Sequence, residues 1–313
     1  MKIGIVGLGE MGLSMATRLA AAGHEVIGYN RTASRSQELV RRGGKAAQSL
    51  EEAAKFSEVV ITMLSDDAVV EEIVLGSGRL IEFLAQDAVH ISMSTISPSL
   101  SRRLERVHAS RKRKFVSAPV LGRPEAAEQG SLFILTSGLT SGETEAMDRV
   151  RPVFSALGQR SFELGSDPGA ANLVKLCCNF MIASVIESLS ETFALVRKAE
   201  GIDHEQYLKV LTGTIFTGPV FETYGRHVLE HDFKPGFRVP LALKDLELGI
   251  AAGKESAVPL PLASLIRDHL VTAIAQGMEN LDWSSLAVVS LRAAGMAPEE
   301  ESLLPEKKGK RVA

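Results

Sequence analysis

Apolar and polar positions in this chain follow one pattern in its first half and another in its second. Residues 2–6, 25–29, 57–63, 88–93, 115–120 and 132–137 are short apolar runs rich in β-branched side chains, which predicts strands, with a further short strand near 161–164. Between them, 11–22, 36–42, 66–75, 98–110 and 144–157 repeat their apolar residues at helical spacing. Such alternation specifies a mostly parallel sheet covered by helices, and ligands bind such sheets beyond the carboxyl ends of the strands. From Pro168 no convincing strand follows. Residues 169–198 hold no strong breaker and predict one helix of about 45 Å. Leu173, Leu176, Phe180, Val185, Ile186 and Leu189 make it too apolar to lie alone on a surface, so it is expected to be the spine of a helical domain and part of a subunit contact. Shorter helical segments follow, divided at Gly201, Gly213, Gly218-Pro219 and Lys234-Pro235-Gly236.

The first strand runs into Gly7-Leu8-Gly9-Glu10-Met11-Gly12, a G-x-G-x-x-G turn that opens a helix ending at Gly23. Between a strand and a helix each glycine plays a distinct part. Gly7 allows the tight turn, Gly9 lets the backbone approach a pyrophosphate, and Gly12 lets helix and strand pack closely. The helix N-terminus offers N–H groups to the phosphates. A dinucleotide is therefore expected here. NAD sites place an acidic residue about 20 positions after the glycines to hold the ribose 2′-hydroxyl. Here Asn30 stands in that place, followed by Arg31 and Thr32. A guanidinium can hold a 2′-phosphate that a carboxylate would repel, with Arg35 one turn further on. The lesser alternative is that Arg31 is simply a solvated loop residue; the pattern favours NADP over NAD. The expected architecture is thus α/β: a Rossmann-type doubly wound sheet over 1–165, then an all-helical domain over 166–297, and a disordered polar tail at 298–313.

Composition narrows the remaining possibilities. The 313 residues are 45% hydrophobic and 23% charged, ordinary for a two-domain soluble chain, and the net charge of −3 gives no reason to expect nucleic acid or a membrane. The basic clusters at 102–114 and 307–311 read as a solvated helix face and part of the tail. No uninterrupted apolar run has the length of a bilayer span, and an N-terminus that enters its first strand at once is not expected to act as a secretory signal. The cysteines, Cys177 and Cys178, are adjacent and point about 100° apart on a helix, so neither a disulfide nor a metal site is expected. A reducing, cytoplasmic location fits.

Hydride chemistry on a nicotinamide needs a proton donor or acceptor near the substrate oxygen. Asn172, Lys175 and Asn179 lie at i, i+3 and i+7 and share one face of the long apolar helix. A lysine there would lose ammonium character through desolvation or a nearby positive group, bringing it toward acid–base duty, with Asn179 orienting amine or substrate. Spacing alone leaves open the common alternative, a lysine that snorkels to solvent.

The chain resembles the β-hydroxyacid dehydrogenase family, which includes 3-hydroxyisobutyrate dehydrogenases, tartronate semialdehyde reductases and glyoxylate/succinic semialdehyde reductases. The resemblance covers roughly 1–286 and is carried by GIVGLGEMGLSMATRLAAAGHEVIGYNRT (4–32), STISP (94–98), APVLG (118–122), GAANLVKLCCN (169–179) and KDLELG (244–249). It implies that Lys175 is the acid/base and Asn179 its substrate-binding neighbour. It further implies that Met63, Leu64 and Ser65 line the nicotinamide half of the cofactor and that Thr95 meets the nicotinamide ribose. Lys244 would close over the cofactor with Phe237 nearby, and Ser94, Val120, Leu121, Gly122 and Arg123 would face the substrate. A homo-oligomer, dimer or tetramer, acting on a small molecule is the expected form.

Two positions depart from the family. After the proline-valine pair it usually carries Ser-Gly-Gly, whose hydroxyl and N–H groups hold the substrate carboxylate; this chain has Leu121-Gly122-Arg123. Either Arg123 takes over the carboxylate, or the substrate is bulkier and less acidic. The first of the two asparagines that usually follow the lysine is Cys178 here, while Asn179 is retained. Competing readings are an imine reductase-like enzyme, against which Lys175 weighs, and a non-catalytic NADP-binding protein. A 6-phosphogluconate dehydrogenase would need a much longer helical part.

Overall fold

The structure, a computed structural model, describes residues 1–138 and 144–296; the tail expected at 298–313 lies outside the described residues. Its contacts divide the chain into two compact units, one spanning Met1–Cys177 and one beginning at Cys178.

The first unit opens with β1 (Lys2–Val6), α1 (Glu10–Ala21), β2 (Glu25–Tyr29), α2 (Ala33–Arg41), β3 (Lys45–Ala46) and α3 (Leu50–Phe56). It continues with β4 (Val59–Thr62), α4 (Asp67–Val74), α5 (Leu80–Phe83), β5 (Val89–Ser92), α6 (Pro98–Ser110) and β6 (Lys114–Ser117). Then come β7 (Val120–Leu121), α7 (Pro124–Gln129), β8 (Leu132–Thr136), α8 (Thr144–Leu157) and β9 (Gly158–Glu163).

Strands β3-β2-β1-β4-β5-β6 form one sheet whose pairs are all parallel. Every residue of β4 and β5 is buried, as a sheet covered on both faces requires. Ile3, Ile5, Ile61 and Ile91 pack on one side with Leu13, Ala16 and Leu19 of α1 and Val150 and Phe154 of α8. Val6 and Val60 pack on the other with Val70, Val74, Leu100, Leu104 and Phe115. The strand order reverses between β1 and β4, which opens a crevice at their carboxyl ends.

One predicted strand is divided. The run at 115–120 ends as a strand at Ser117: Ala118 N makes the last bond to β5, at Ser92 O, and Ser117 and Pro119 already bond toward β8 through Ser137 and Leu135. Val120 and Leu121 instead pair antiparallel with Ile134 and Phe133, making a second sheet, β7-β8-β9. The helices α3, α5 and α7 have seven, four and six residues, too short to show a period in the sequence.

Between sheet and α6 lies a buried chain of hydrogen bonds. Leu104 O can only accept, so His108 Nδ1 donates to it at 2.6 Å. His108 Nε2 then accepts from His90 Nδ1 at 3.0 Å, and His90 Nε2 accepts from the Thr62 hydroxyl at 3.1 Å. Both rings are held neutral: burial, with His108 beside it, puts His90 well below its ordinary value. Burial, with Arg111 and Arg113 nearby, lowers His108 to about 4 against the Leu104 bond.

The helix α9 (Ala170–Lys198) runs across the division between the units. Beyond it follow α10 (His204–Thr212), α11 (Pro219–Glu230), α12 (Val239–Glu255), α13 (Pro261–Ala275) and α14 (Leu286–Ala293), and no strand forms after Cys178 among the described residues. Ala183, Ile186, Leu189 and Phe193 of α9 form a core with Val239, Ala242 and Leu246 of α12, Ile266 and Leu270 of α13, and Leu286 and Val288. By length and composition α9 could cross a bilayer, with a mean hydropathy of 1.5 over its most apolar window, although Lys175, Asn179, Ser184 and Glu187 interrupt its apolar run. Its apolar face is core, however, and polar Glu187 and Ser190 are buried beside it.

Candidate active site

The glycine turn is shaped as its spacing predicts. Gly7 takes a φ of +97°, and a Cβ there would fall 2.3 Å from Met63 O. A Cβ on Gly12 would fall 2.0 Å from Gly7 O, so helix and turn touch backbone to backbone. A Cβ on Gly9 would meet nothing within 4 Å, and no side chain caps α1. The first and third glycines are filled against protein, while the second opens onto space beside the helix N-terminus. That is the cradle a pyrophosphate requires, and the residues present fit a dinucleotide.

Asn30 ties the end of β2 to this turn. Its Oδ1 accepts from Leu8 N at 3.0 Å and its Nδ2 donates to Thr32 O at 3.2 Å. Arg31, Thr32 and Arg35 are exposed beyond it. Met63, Leu64 and Ser65 leave β4 next to the turn and stop where Asp66 caps α4, its Oδ1 accepting from Val69 N at 2.9 Å. Ser94 is fully buried: its hydroxyl accepts from Leu64 N at 2.8 Å and donates to Thr62 O at 3.3 Å. The side chain expected at the substrate thus braces the neighbouring strand exit. Thr95 is half-buried just before Ser97, which caps α6 at Leu100 N.

A third exit joins these two. Ala118 N donates to Ser92 O at 2.8 Å as the chain leaves β6, and Val120-Leu121-Gly122-Arg123 lead on to α7. Asn172, on the first turn of α9, reaches both exits: its Oδ1 accepts from Ile96 N at 3.1 Å and its Nδ2 donates to Ser117 Oγ at 3.0 Å. Ser137 Oγ accepts from Ala171 N at 3.0 Å, and Ser101 and Ser137 both donate to Pro168 O. The start of α9 is therefore fixed to the carboxyl ends of β5, β6 and β8. Lys175 follows Asn172 on the same face and is 9% exposed.

In the second unit Asn179 Nδ2 donates to Asp245 Oδ2 at 2.5 Å, and Lys244 Nζ pairs with Asp245 Oδ1 at 2.9 Å. Asp245 is 2% exposed and Lys244 half-buried, so the pair is anchored on a buried carboxylate. Phe237 is placed by buried Asp282, whose Oδ2 accepts from Gly236 N and Phe237 N, and by Trp283, whose ring meets it edge-on at 5.0 Å. The sequence pattern picks out the Asn172 face but not the bonds Asn172 makes. Nor does it reveal Ser117, Ser137, Asp245 as partner of Asn179, or Asp282. Asx and Ser side chains near strand ends and helix starts are the signal that could have found them.

A doubly wound sheet with a glycine cradle at its switch point, followed by a helical unit, defines a nicotinamide-dependent oxidoreductase. The sequence profile of the NAD binding domain of 6-phosphogluconate dehydrogenase matches residues 2–165, and that of the NAD-binding region of NADP-dependent 3-hydroxyisobutyrate dehydrogenase matches 169–290. An uncharacterized oxidoreductase, YfjR, of Bacillus subtilis is 40% identical over 91% of this chain and 98% of its own. Glyoxylate/succinic semialdehyde reductase 1 of Arabidopsis thaliana is 31% identical over 91% and 97%. The crystal structure of a 3-hydroxyisobutyrate dehydrogenase from Salmonella typhimurium superposes with a TM-score of 0.81 at 26% identity, over 92% of this chain and 99% of that one. The chain belongs to the β-hydroxyacid dehydrogenase family and is an NAD(P)-dependent hydroxyacid dehydrogenase or reductase.

Proposed function

We propose that this enzyme uses NADP in preference to NAD and transfers a hydride between the nicotinamide and a small 3-hydroxy acid, a semialdehyde or a 2-oxo acid, with Lys175 as acid/base. The bound nicotinamide supplies or accepts the hydride. Lys175 gives a proton to the substrate oxygen in reduction and takes it back in oxidation. Asn179, oriented by Asp245, holds the substrate oxygen or the amine. The observation that carries the reading is the Asn172 junction, which fixes the base of Lys175's helix to two of the strand exits where ligands bind in such sheets. Arg31, in place of an acidic residue, supports NADP. Residues 1–165 serve as the cofactor domain and 166–297 as the substrate and oligomerisation domain of a cytoplasmic dimer or tetramer.

The test is NADPH oxidation with glyoxylate, succinic semialdehyde, methylmalonate semialdehyde and cyclic imines. Turnover of a carbonyl is expected. Turnover of an imine with none on any carbonyl would replace this reading by the imine reductase one.

A further inference from the structure

We propose that Leu121 and Phe133 form an apolar wall of the substrate site, so that the carbonyl substrate carries an alkyl or aryl flank beside its reacting carbon. This rests on the reaction proposed above and names its substrate class.

The sheet β7-β8-β9 turns Val120, Leu132 and Ile134 into the core of the first unit. Side chains alternate along a strand, so Leu121 and Phe133, which are paired directly across β7 and β8, stand together on the opposite face. Polar residues are expected on such a face. Here Phe133 remains 38% exposed, with the Phe162 ring 6.4 Å away and the Arg160 guanidinium over that ring at 4.6 Å.

Position tells what covers this patch. Leu121 lies four residues beyond Ser117, the end of β6 that Asn172 holds beside the β5 exit. Gly122 turns the chain there with a φ of +142°, packed so that a Cβ would fall 2.6 Å from Leu132. The turn therefore keeps Leu121 just past that exit, on the face opposite core-facing Val120. A leucine side chain donates no hydrogen bond, so it cannot hold a carboxylate; what it can gain from a ligand is shed water, and an apolar flank supplies that.

The experiment measures kcat/KM for glyoxylate, 2-oxobutanoate and 2-oxohexanoate with NADPH, and calorimetric binding of acetate, butanoate and hexanoate to the NADP-loaded enzyme. The ratio of the longest to the shortest member is expected to exceed about tenfold in both series. Leu121→Ser and Phe133→Thr should each lower that ratio about tenfold, chiefly through KM, while Leu121→Met retains it. A flat or falling ratio in wild type overturns the proposal, as does an equal loss on every member in the variants. Dissociation of the oligomer in Phe133→Thr at an unchanged ratio assigns the face to a subunit contact and also overturns it. If no carbonyl turns over at all, the reaction fails instead, and the binding series still decides the wall.

Discussion

Asn172 Nδ2 donates to Ser117 Oγ at 3.0 Å in a site with no exposure for either residue, and this bond fastens the first turn of α9 to the end of β6. Together with the bond to Ile96 N it makes one amide the common anchor of two strand exits and the helix that carries Lys175. Asn172→Ala should strand a buried N–H at Ile96 and a hydroxyl at Ser117, lowering stability by about 1–3 kcal/mol. Urea unfolding and kcat measured together check it, with kcat expected to fall in protein that remains folded.

Lys175→Ala should lower kcat by about 10²- to 10⁴-fold while cofactor affinity stays nearly constant. Steady-state kinetics paired with fluorescence titration of NADPH separates the two. Comparable loss in both would mean that Lys175 serves binding rather than proton transfer.

The glycines divide into two kinds of lesion. Gly12→Ala drives a methyl into Gly7 O and should destabilise the unit by about 3 kcal/mol. Gly9→Ala meets no protein atom within 4 Å, so the thermal midpoint should hold while NADPH affinity falls. A large fall in the Gly9→Ala midpoint would contradict the cradle.

Arg31→Ala should raise the Kd for NADPH about 10- to 100-fold, the loss of charge-assisted bonds to a 2′-phosphate, and leave that for NADH alone. Isothermal titration with both cofactors is the measurement, and equal effects on the two would reject the NADP preference.

Acid should loosen the first unit through its histidine pair. In the unfolded chain an imidazole takes up a proton near pH 6.5, whereas folded His108 stays neutral down to about 4. Between those values the unfolded state binds more protons, so stability is full above pH 6.5 and drains as the pH falls toward 4. His108 alone accounts for roughly 3 kcal/mol of that loss. Urea midpoints at pH 7.5 and 5 should show it, and a His108→Gln variant should flatten the slope.

Much of this was legible in the chain. Three glycines between a strand and a helix dictated a shape: Gly7 makes the turn, Gly12 packs against it, and Gly9 faces open space. The helix over 169–198 was equally plain, because nothing in it interrupts an apolar period. The anchors were not legible. Asn172, Ser117 and Ser137 act across distances of up to 76 residues, and a polar residue at a strand end looks the same whether it binds solvent, ligand or backbone. The break after Ser117 was hidden because an apolar run shows where a strand can form, not which sheet it joins. His90 was hidden for the same reason, inside a run whose other members gave no cause to suspect a hydrogen-bonded partner in α6.

That partnership has an evolutionary consequence. Each ring of His90 and His108 completes the other where neither is exposed to solvent, so replacing either one leaves a nitrogen of its neighbour with no mate. Lineages that lose the pair should lose both members at once, trading them for two hydrocarbons, and one histidine surviving alone at either site should be the rarest outcome among descendants.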